Sequence, residues 1–338
     1  MASAGCELLE TTTGRAAMIY KAFGHVGHYY RLIRRVRRYL MNNNVDLVVV
    51  CDSPAFNFHV AKAAKKAGIK TLFYVAPQLW AWAGWRIRKL RKYCDKLCCI
   101  LPFEQDWFSQ KCVDSVFVGN PLLEGLQEDL GVYKRGYTDF EAANAAFALM
   151  PGSRAAEIHA LWRPMQEIAL RIKEKHTGAT FVTVAVDDER KETLKASQVD
   201  GFDCQYTVGT VSETARKADF AMVASGSATL QVAAVGCPMV VMYQSSRILW
   251  HLVGRWLVRM KYLSLVNVLA GRALVPEFMP YFNSIAPIAE SIAQLLEDKN
   301  GLARISSELV ELAQPLRTGR PSEKVARIAV DMLAQVTI

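Results

Sequence analysis

The chain has no stretch near the roughly 18 uninterrupted apolar residues that a membrane-spanning helix needs, although 51% of its 338 residues are hydrophobic. Its most apolar region, residues 218–243, is interrupted by Asp219, Ser225, Gly226, Ser227, Gln231 and Pro238. That pattern reads as strand, turn, helix and strand. Met1 to Glu10 carries acidic residues and no basic, leucine-rich entry, so no secretory leader is expected there. Repeats and low-complexity tracts are absent, and with 22% charged residues the composition is that of a globular chain. The length suits two domains of about 150 residues better than one core. The eight cysteines include no C-x-x-C pair. Cys51 and Cys99 sit in or beside apolar runs and Cys237 precedes a proline, so reduced, mostly buried thiols in a cytoplasmic setting are expected. Cys94, Cys98 and Cys99 cluster with no histidine nearby, which argues against a metal site.

The first third is also short of negative charge. Residues 1–112 hold 18 Lys/Arg against 7 Asp/Glu, a balance of +11, and the remainder holds 23 against 25, or −2. An anionic partner is expected there, whether nucleic acid, a membrane surface or a phosphorylated substrate.

What is present is an alternation of strand-like and helix-like segments. Asp46–Cys51, Thr71–Val75, Lys96–Ile100 and Ser115–Val118 read as strands, as do Ala146–Met150, Thr180–Val186, Asp219–Val223 and Met239–Tyr243. Helical patterns such as Ala61–Ala67, Ala155–Lys175 and Ser227–Val235 lie between them. Such units imply right-handed crossovers and mostly parallel α/β sheets. The polar stretch Glu128 to Ala142 is the expected linker, giving domains at 1–140 and 141–312. From Pro287 onward only helical patterns remain: Ile288–Asp298, Leu302–Ala313 and Ser322–Val336. Residues 313–338, with the last of these, are expected to fold back onto the first domain. The first forty residues hold no clear strand, so the first sheet is expected to lack its usual opening strand and loop.

Four segments put polar or special-backbone residues after strand ends, where open α/β sheets bind ligands. In Cys51-Asp52-Ser53-Pro54-Ala55-Phe56-Asn57, a carboxylate at a strand end can serve as general base for an acceptor hydroxyl. Asp52 can equally be a helix N-cap, with Pro54 in the first turn. Met150-Pro151-Gly152-Ser153-Arg154, with Glu157 a turn later, offers a helix start and a bidentate phosphate donor, or an ordinary turn with a surface arginine. It is not a P-loop, because the spacing and the Gly-Lys-Ser/Thr ending are missing. Ala224-Ser225-Gly226-Ser227-Ala228-Thr229-Leu230-Gln231 lets a ligand approach the backbone, or is simply a tight capped loop. Two such helix starts in one domain suit a nucleotide diphosphate. In the fourth segment, Asn267 and Arg272 stand in an apolar setting before Val275-Pro276-Glu277-Phe278, either facing a ligand or satisfying backbone carbonyls.

Aromatic and basic residues interleave in three places. Trp80, Trp82 and Trp85 precede Arg86, Arg88, Lys89, Arg91 and Lys92; Arg247, Trp250, Trp256, Arg259 and Lys261 alternate with leucines and valine; and Arg31 to Arg38 alternate with Leu32, Ile33, Val36 and Tyr39. Such faces suit a membrane interface, or are solvated basic faces over a core stripe. No nucleic-acid-binding signature accompanies the charge.

Together these segments resemble one family. Asp52-Ser53-Pro54 with Phe56-Asn57, Tyr74-Val75-Ala76-Pro77-Gln78-Leu79-Trp80-Ala81-Trp82, and Leu101-Pro102-Phe103-Glu104 are similar to lipid-A-disaccharide synthases. So are Pro151-Gly152-Ser153-Arg154 with Glu157-Ile158, Ser225-Gly226 with Ala228-Thr229-Leu230, and Asn267 with Leu269-Ala270-Gly271-Arg272 and Val275-Pro276-Glu277-Phe278. The resemblance implies an α/β GT-B fold: two Rossmann-like parallel-sheet domains facing a central cleft. It implies an inverting, metal-independent glycosyltransferase with no cofactor. The reaction would join UDP-2,3-diacylglucosamine to 2,3-diacylglucosamine 1-phosphate (lipid X) in β-1′,6 linkage, at an anionic membrane surface on the cytoplasmic face of the inner membrane. A homodimer stays open, and nucleic acid is not expected. By resemblance Asp52 is the general base, while Ser153, Arg154, Ser225, Gly226, Ser227, Thr229, Gln231, Asn267 and Arg272 bind the nucleotide sugar. Asn57, Gln78, Trp80, Trp82, Glu104 and Asn120 fall on the acceptor side; Trp85, Arg86, Arg88, Lys89, Trp250 and Trp256 would face the membrane. The family's opening strand and Gly-Glu-x-Ser-Gly-Asp loop precede the part that Ala4-Gly5-Cys6-Glu7 resembles. Three positions depart from its pattern: Gln231 replaces an acid, Asn120 the histidine of a Gly-His-Pro, and Ala55 an often acidic residue. An epimerase of the same fold, or a lipid-binding relative without activity, are the rival readings.

Overall fold

The computed structural model describes residues 4–10, 26–124, 126, 135–247, 250–251, 260–317 and 319–334. Two parallel sheets organise them. The first has strands β1 (Leu47–Cys51), β2 (Lys70–Tyr74), β3 (Lys96–Cys99) and β4 (Ser115–Phe117), side by side in sequence order. Helix α1 (Val26–Asn42) precedes them, and α2 (Pro54–Lys66), α3 (Ile87–Tyr93) and α4 (Pro102–Ser109) connect them. The arginines of α1 face outward, while Leu32 and Leu40 are buried and Val36 packs on the core, a stripe with the helical spacing of three to four residues. Below that stripe Val48 and Val50 of β1 meet Phe58, Phe73, Leu90 and Leu97.

The second sheet runs in the order β10-β9-β8-β5-β6-β7. Its strands are β5 (Ala146–Met150), β6 (Thr180–Ala185), β7 (Gln205–Val208), β8 (Phe220–Ala224), β9 (Met239–Met242) and β10 (Glu277–Phe278). Helices α5 (Ala155–Lys175), α6 (Asp188–Ala196), α7 (Val211–Lys217), α8 (Ala228–Ala234) and α9 (Leu265–Ala270) intervene, and α10 (Ala286–Glu297) and α11 (Lys299–Ala313) follow. Every residue of β8 and β9 is buried, as expected of central parallel strands covered by helices on both faces. Trp162 of α5 is 2% exposed, and its indole N–H donates to the Leu194 carbonyl at 2.9 Å. The wrapping direction reverses between β5 and β8, so their carboxyl ends form the crevice where doubly wound sheets bind ligands.

The eight strands expected from sequence all form, and two more appear. β7 lies at one edge with half-exposed side chains and the polar Gln205 and Thr207, so it gives no apolar run. β10 has only two residues, at the opposite edge. α2 begins at Pro54, well before the expected Ala61.

The last helix, α12 (Pro321–Ala334), packs Val325 and Met332 against Leu72, Cys98 and Val118 on the first sheet. Lys70 Nζ donates to the Met332 carbonyl at 3.1 Å. One hydrophobic cluster joins the two halves: Leu101 and Leu123, from loops at the carboxyl ends of β3 and β4, pack with Met150, Leu230, Ala234 and Leu316.

Candidate active site

A pocket of 330 Å³ opens at the reversal point between β5 and β8. Its walls are the loop after β5 (Gly152, Ser153, Arg154), the end of β6 (Val184, Ala185, Val186), Gly209 after β7, and Ser225, Gly226, Ser227, Ala228 and Gln231 after β8. Glu157 also lines it, 7% exposed. Its Oε2 accepts the backbone N–H groups of Ser153 (3.0 Å) and Arg154 (3.2 Å), and its Oε1 accepts Arg154 Nη1 at 2.5 Å. A carboxylate of the chain itself therefore occupies the amino end of α5, where the sequence suggested a free anion site. Arg154 is the cation of this wall: it lines the pocket, and its side chain is 64% exposed although paired with Glu157. Gly152 makes the arrangement possible. Its φ is +108°, and a β-carbon there would stand 2.6 Å from Glu157 Oε2.

Of the nine residues assigned to the nucleotide sugar, Ser153, Arg154, Ser225, Gly226, Ser227 and Gln231 meet in this pocket. Thr229, Asn267 and Arg272 do not line it. Thr229 is fully buried, and its hydroxyl donates to the Gly226 carbonyl at 2.7 Å, bracing the loop from behind. Asn267 is fully buried with its amide fully engaged. Its Nδ2 donates to the Val275 carbonyl and Glu277 Oε2, and its Oδ1 accepts from Leu274 and Val275, all at 2.9–3.0 Å. Of the two readings of Asn267, satisfaction of backbone groups is the geometry found. Arg272 is paired with Glu308 of α11.

The carboxyl ends of the first sheet's strands are strained. Asp52 (φ 49°), Ser53 (φ 41°) and Val75 (φ 62°) all adopt left-handed backbone without being glycine. Each such residue costs on the order of 1–3 kcal/mol and persists only where surroundings enforce it, which is characteristic of functional loops. The buried Asn57 enforces the first pair: its Nδ2 donates to the carbonyls of Cys51 (2.8 Å) and Asp52 (2.7 Å). The Asp52 N–H donates to the Tyr74 carbonyl at 3.0 Å, while its side chain is exposed. The N-cap of α2 is Ser53, with no side-chain capping bond, so Asp52 does not serve as the cap. No sequence signal marked Val75, whose left-handed φ is a genuine outlier for a β-branched residue.

The acceptor-side residues divide into exposed and structural ones. Gln78 and Trp82 are exposed. Glu104 is 1% exposed; it accepts the Trp80 indole N–H at 2.9 Å and the N–H groups of Ile100 (3.2 Å) and Leu101 (3.1 Å). Burial pushes its carboxyl up to about 7, against the lowering effect of those hydrogen bonds. Glu104 thus caps α4 and holds Trp80 edge-on to Phe103, with ring centroids 5.0 Å apart. Asn120 is 1% exposed, and its Oδ1 accepts the Leu122 N–H at 3.1 Å.

Among the basic aromatic stretches, Trp85 is 62% exposed and Trp82 38%. The Arg86 guanidinium lies 5.1 Å from the centre of the Trp82 ring, and Arg88 and Lys89 are exposed beside them. On α1, Tyr30, Tyr39 and Met41 are exposed among the arginines. Trp250 is half-buried; Trp256 lies outside the described residues. No helix among the described residues is long and apolar enough to cross a membrane.

Comparison with known proteins agrees with this layout. A sequence model of the family described as lipid-A-disaccharide synthetase matches residues 1–328. A lipid-A-disaccharide synthase of Geobacter sulfurreducens is 30% identical over 342 residues, covering 99% of this chain and 88% of its own length. Another, of Syntrophus aciditrophicus, is 31% identical over 310 residues, covering 89% of this chain and 79% of its own. Among solved structures, S. aureus MnaA with UDP superposes with a TM-score of 0.60 at 13% identity, covering 89% of this chain and 80% of that one. The UDP-GlcNAc 2-epimerase from Neisseria meningitidis bound to UDP-GlcNAc gives 0.58 at 12% identity, covering 91% and 81%. Likeness at such identities shows the two-sheet GT-B fold alone. The family is shown by the sequence: the chain belongs to the lipid-A-disaccharide synthases.

Proposed function

We propose that this chain transfers 2,3-diacylglucosamine from its UDP derivative to lipid X, giving the β-1′,6-linked disaccharide 1-phosphate and UDP. The observation that carries the reading is the pocket at the β5–β8 reversal, where Arg154, the turns holding Gly152-Ser153 and Ser225-Gly226-Ser227, and Gln231 line a space fit for a nucleotide diphosphate. Arg154 leaves Glu157 to meet the diphosphate, and the loop Ser225–Ser227 lets it approach the backbone. Across the cleft, Asp52 takes the proton from the acceptor's 6-hydroxyl as its oxygen bonds to the sugar C1. The bond between C1 and the β-phosphate oxygen breaks on the opposite side and the configuration inverts. UDP leaves with the electron pair, its charge held by Arg154. The strained backbone at Asp52 and Ser53 supports this role, and so does an exposed Asp52 that is not the N-cap of α2.

In this reading the first sheet carries the acceptor domain and the second the UDP-sugar domain; Tyr137 and Phe140 of the expected linker pack in the second sheet's core, which moves the boundary ahead of them, and α12 belongs with the first sheet. The exposed Trp82 and Trp85 with Arg86, Arg88 and Lys89, and the arginine face of α1, rest on the anionic cytoplasmic face of the inner membrane. Both substrates are acylated anions, so a cationic amphipathic surface beside the acceptor side is the chemistry their delivery needs. The test is turnover of UDP-2,3-diacylglucosamine with lipid X in detergent micelles. Disaccharide 1-phosphate and UDP in equal amounts are expected. Epimerised donor, or binding with no transfer, would overturn the proposal.

A further inference from the structure

Two chain segments cross between the halves: residues 118–124, with Leu126, leave the first sheet, and residues 314–317 and 319–322 return to it. They are stitched together. The Asn120 N–H donates to the Leu316 carbonyl at 3.1 Å, and the N–H and hydroxyl of Ser322 both donate to the Glu124 carboxylate. Arg317, at the end of the 3-10 turn Gln314–Arg317, is only 6% exposed within this crossing. Its Nη1 donates to the Ala234 carbonyl at 3.4 Å, and its Nη2 to the Leu126 carbonyl at 3.2 Å. Ala234 ends α8, the helix whose opposite end follows the pocket loop Ser225–Ser227. The same helix packs against the turn Pro121–Leu123.

We propose that Arg317 is a positioning residue that couples the nucleotide pocket to the first domain. α8 acts as a short rigid lever. One end carries a wall of the pocket; the other is fixed, through one guanidinium, to the segment leaving the first sheet. A planar fork can hold two carbonyls on different segments at once, which the single ammonium of a lysine does poorly. A carbonyl at the end of a helix is also the favourable place for a cation. Any change in the angle between the halves is therefore delivered to Ser225–Ser227, and filling the pocket is felt at residues 120–124. The inference rests on the pocket being the UDP-sugar site proposed above, and it adds a residue that touches no substrate.

The experiment compares R317K and R317M with the unaltered chain, reading UDP affinity by calorimetry and kcat in the transfer assay on folded protein. The expected result is an unchanged UDP dissociation constant with kcat reduced by up to about a hundredfold in R317M, the cost of small misplacements of reacting groups. R317K should recover part of it. A kcat that survives in the folded variants overturns the proposal, as does a loss of UDP affinity in step with kcat, which a merely structural arginine would give. Should R317M fail to fold, R317K decides alone. Hydrogen exchange needs no turnover: UDP should slow exchange at residues 120–124 in the unaltered chain and not in R317K, and equal slowing in both also overturns the coupling. An unaltered chain that binds UDP but transfers no sugar defeats the functional reading instead, and the exchange measurement still judges Arg317.

Discussion

Replacing Glu104 by glutamine isolates the electrostatics of one buried carboxyl. The group is 1% exposed, and its pKa is displaced from 4.5 to about 7, chiefly by loss of water. Folding therefore favours the protonated form. The associated stability is fully present below about pH 4.5 and is lost as the pH rises through about 7. At about 1.4 kcal/mol per pH unit, the whole span is worth about 3 kcal/mol. Glutamine removes the charge, but its NH2 cannot accept a hydrogen bond, whereas both oxygens of the carboxyl can, protonated or ionised. If the amide oxygen keeps the N–H groups of Ile100 and Leu101, the Trp80 indole N–H faces an amide donor and goes unpaired, at a cost of about 1–3 kcal/mol. At pH 5, where the unaltered protein holds Glu104 largely protonated, E104Q should be the less stable of the two. By pH 8 the deficit should shrink or reverse, a relative change of about 2–3 kcal/mol. Urea unfolding of both proteins at the two pH values gives this difference, in which contributions from other titrating groups cancel. Parallel pH profiles would refute the claim that burial governs Glu104.

Asp52→Asn should lower kcat by about 10²–10⁴ while UDP binding is retained, and unchanged turnover would remove Asp52 as the base. Arg154→Ala should weaken UDP binding by about 1.5–3 kcal/mol in calorimetry, the worth of one charge-assisted contact; unaltered affinity would move the diphosphate elsewhere. Gly152→Ala should destabilise the chain and weaken UDP binding together, because a methyl group at φ +108° meets the Glu157 carboxylate, and a thermal shift equal to zero would contradict that geometry. Co-sedimentation should be stronger with anionic than with neutral vesicles, fall with added salt, and drop again when Trp82 and Trp85 are both changed to alanine; indifference to lipid charge would reject the membrane surface.

The two-sheet fold was legible because parallel strands buried on both faces leave continuous apolar runs, as Phe220–Ala224 and Met239–Met242 do. β7 and β10 were not, because edge strands that bury little carry no such run. The pocket was legible for a related reason. A ligand-binding loop after a strand needs small and polar residues, and Gly152-Ser153-Arg154 and Ser225-Gly226-Ser227 supplied them in a row.

What local sequence could not separate was a polar side chain that faces the ligand from one that builds the loop facing it. Thr229 stands among the same small residues as Ser225 and Gln231, and Asn267 in an apolar run of its own, yet both are fully buried and spend their polar atoms on groups of the chain itself. Glu157 and Glu104 belong to the same class: each is a carboxylate turned back on the amino end of its own helix. The reason is general to such sites. A loop that must hold an unusual backbone cannot satisfy its N–H and C=O groups with regular structure, so nearby side chains must do so. Asn57 does this for Asp52, and Asn267 for residues 274–275. A motif therefore contains ligand contacts and their supports side by side, and burial separates them. By that criterion Asp52, Arg154, Ser225, Ser227 and Gln231 keep side chains accessible to a ligand, while Asn57, Glu104, Glu157, Thr229 and Asn267 are the frame. Substitutions in the frame should act through stability and geometry together, whereas substitutions in the accessible set should alter binding or turnover at nearly constant stability.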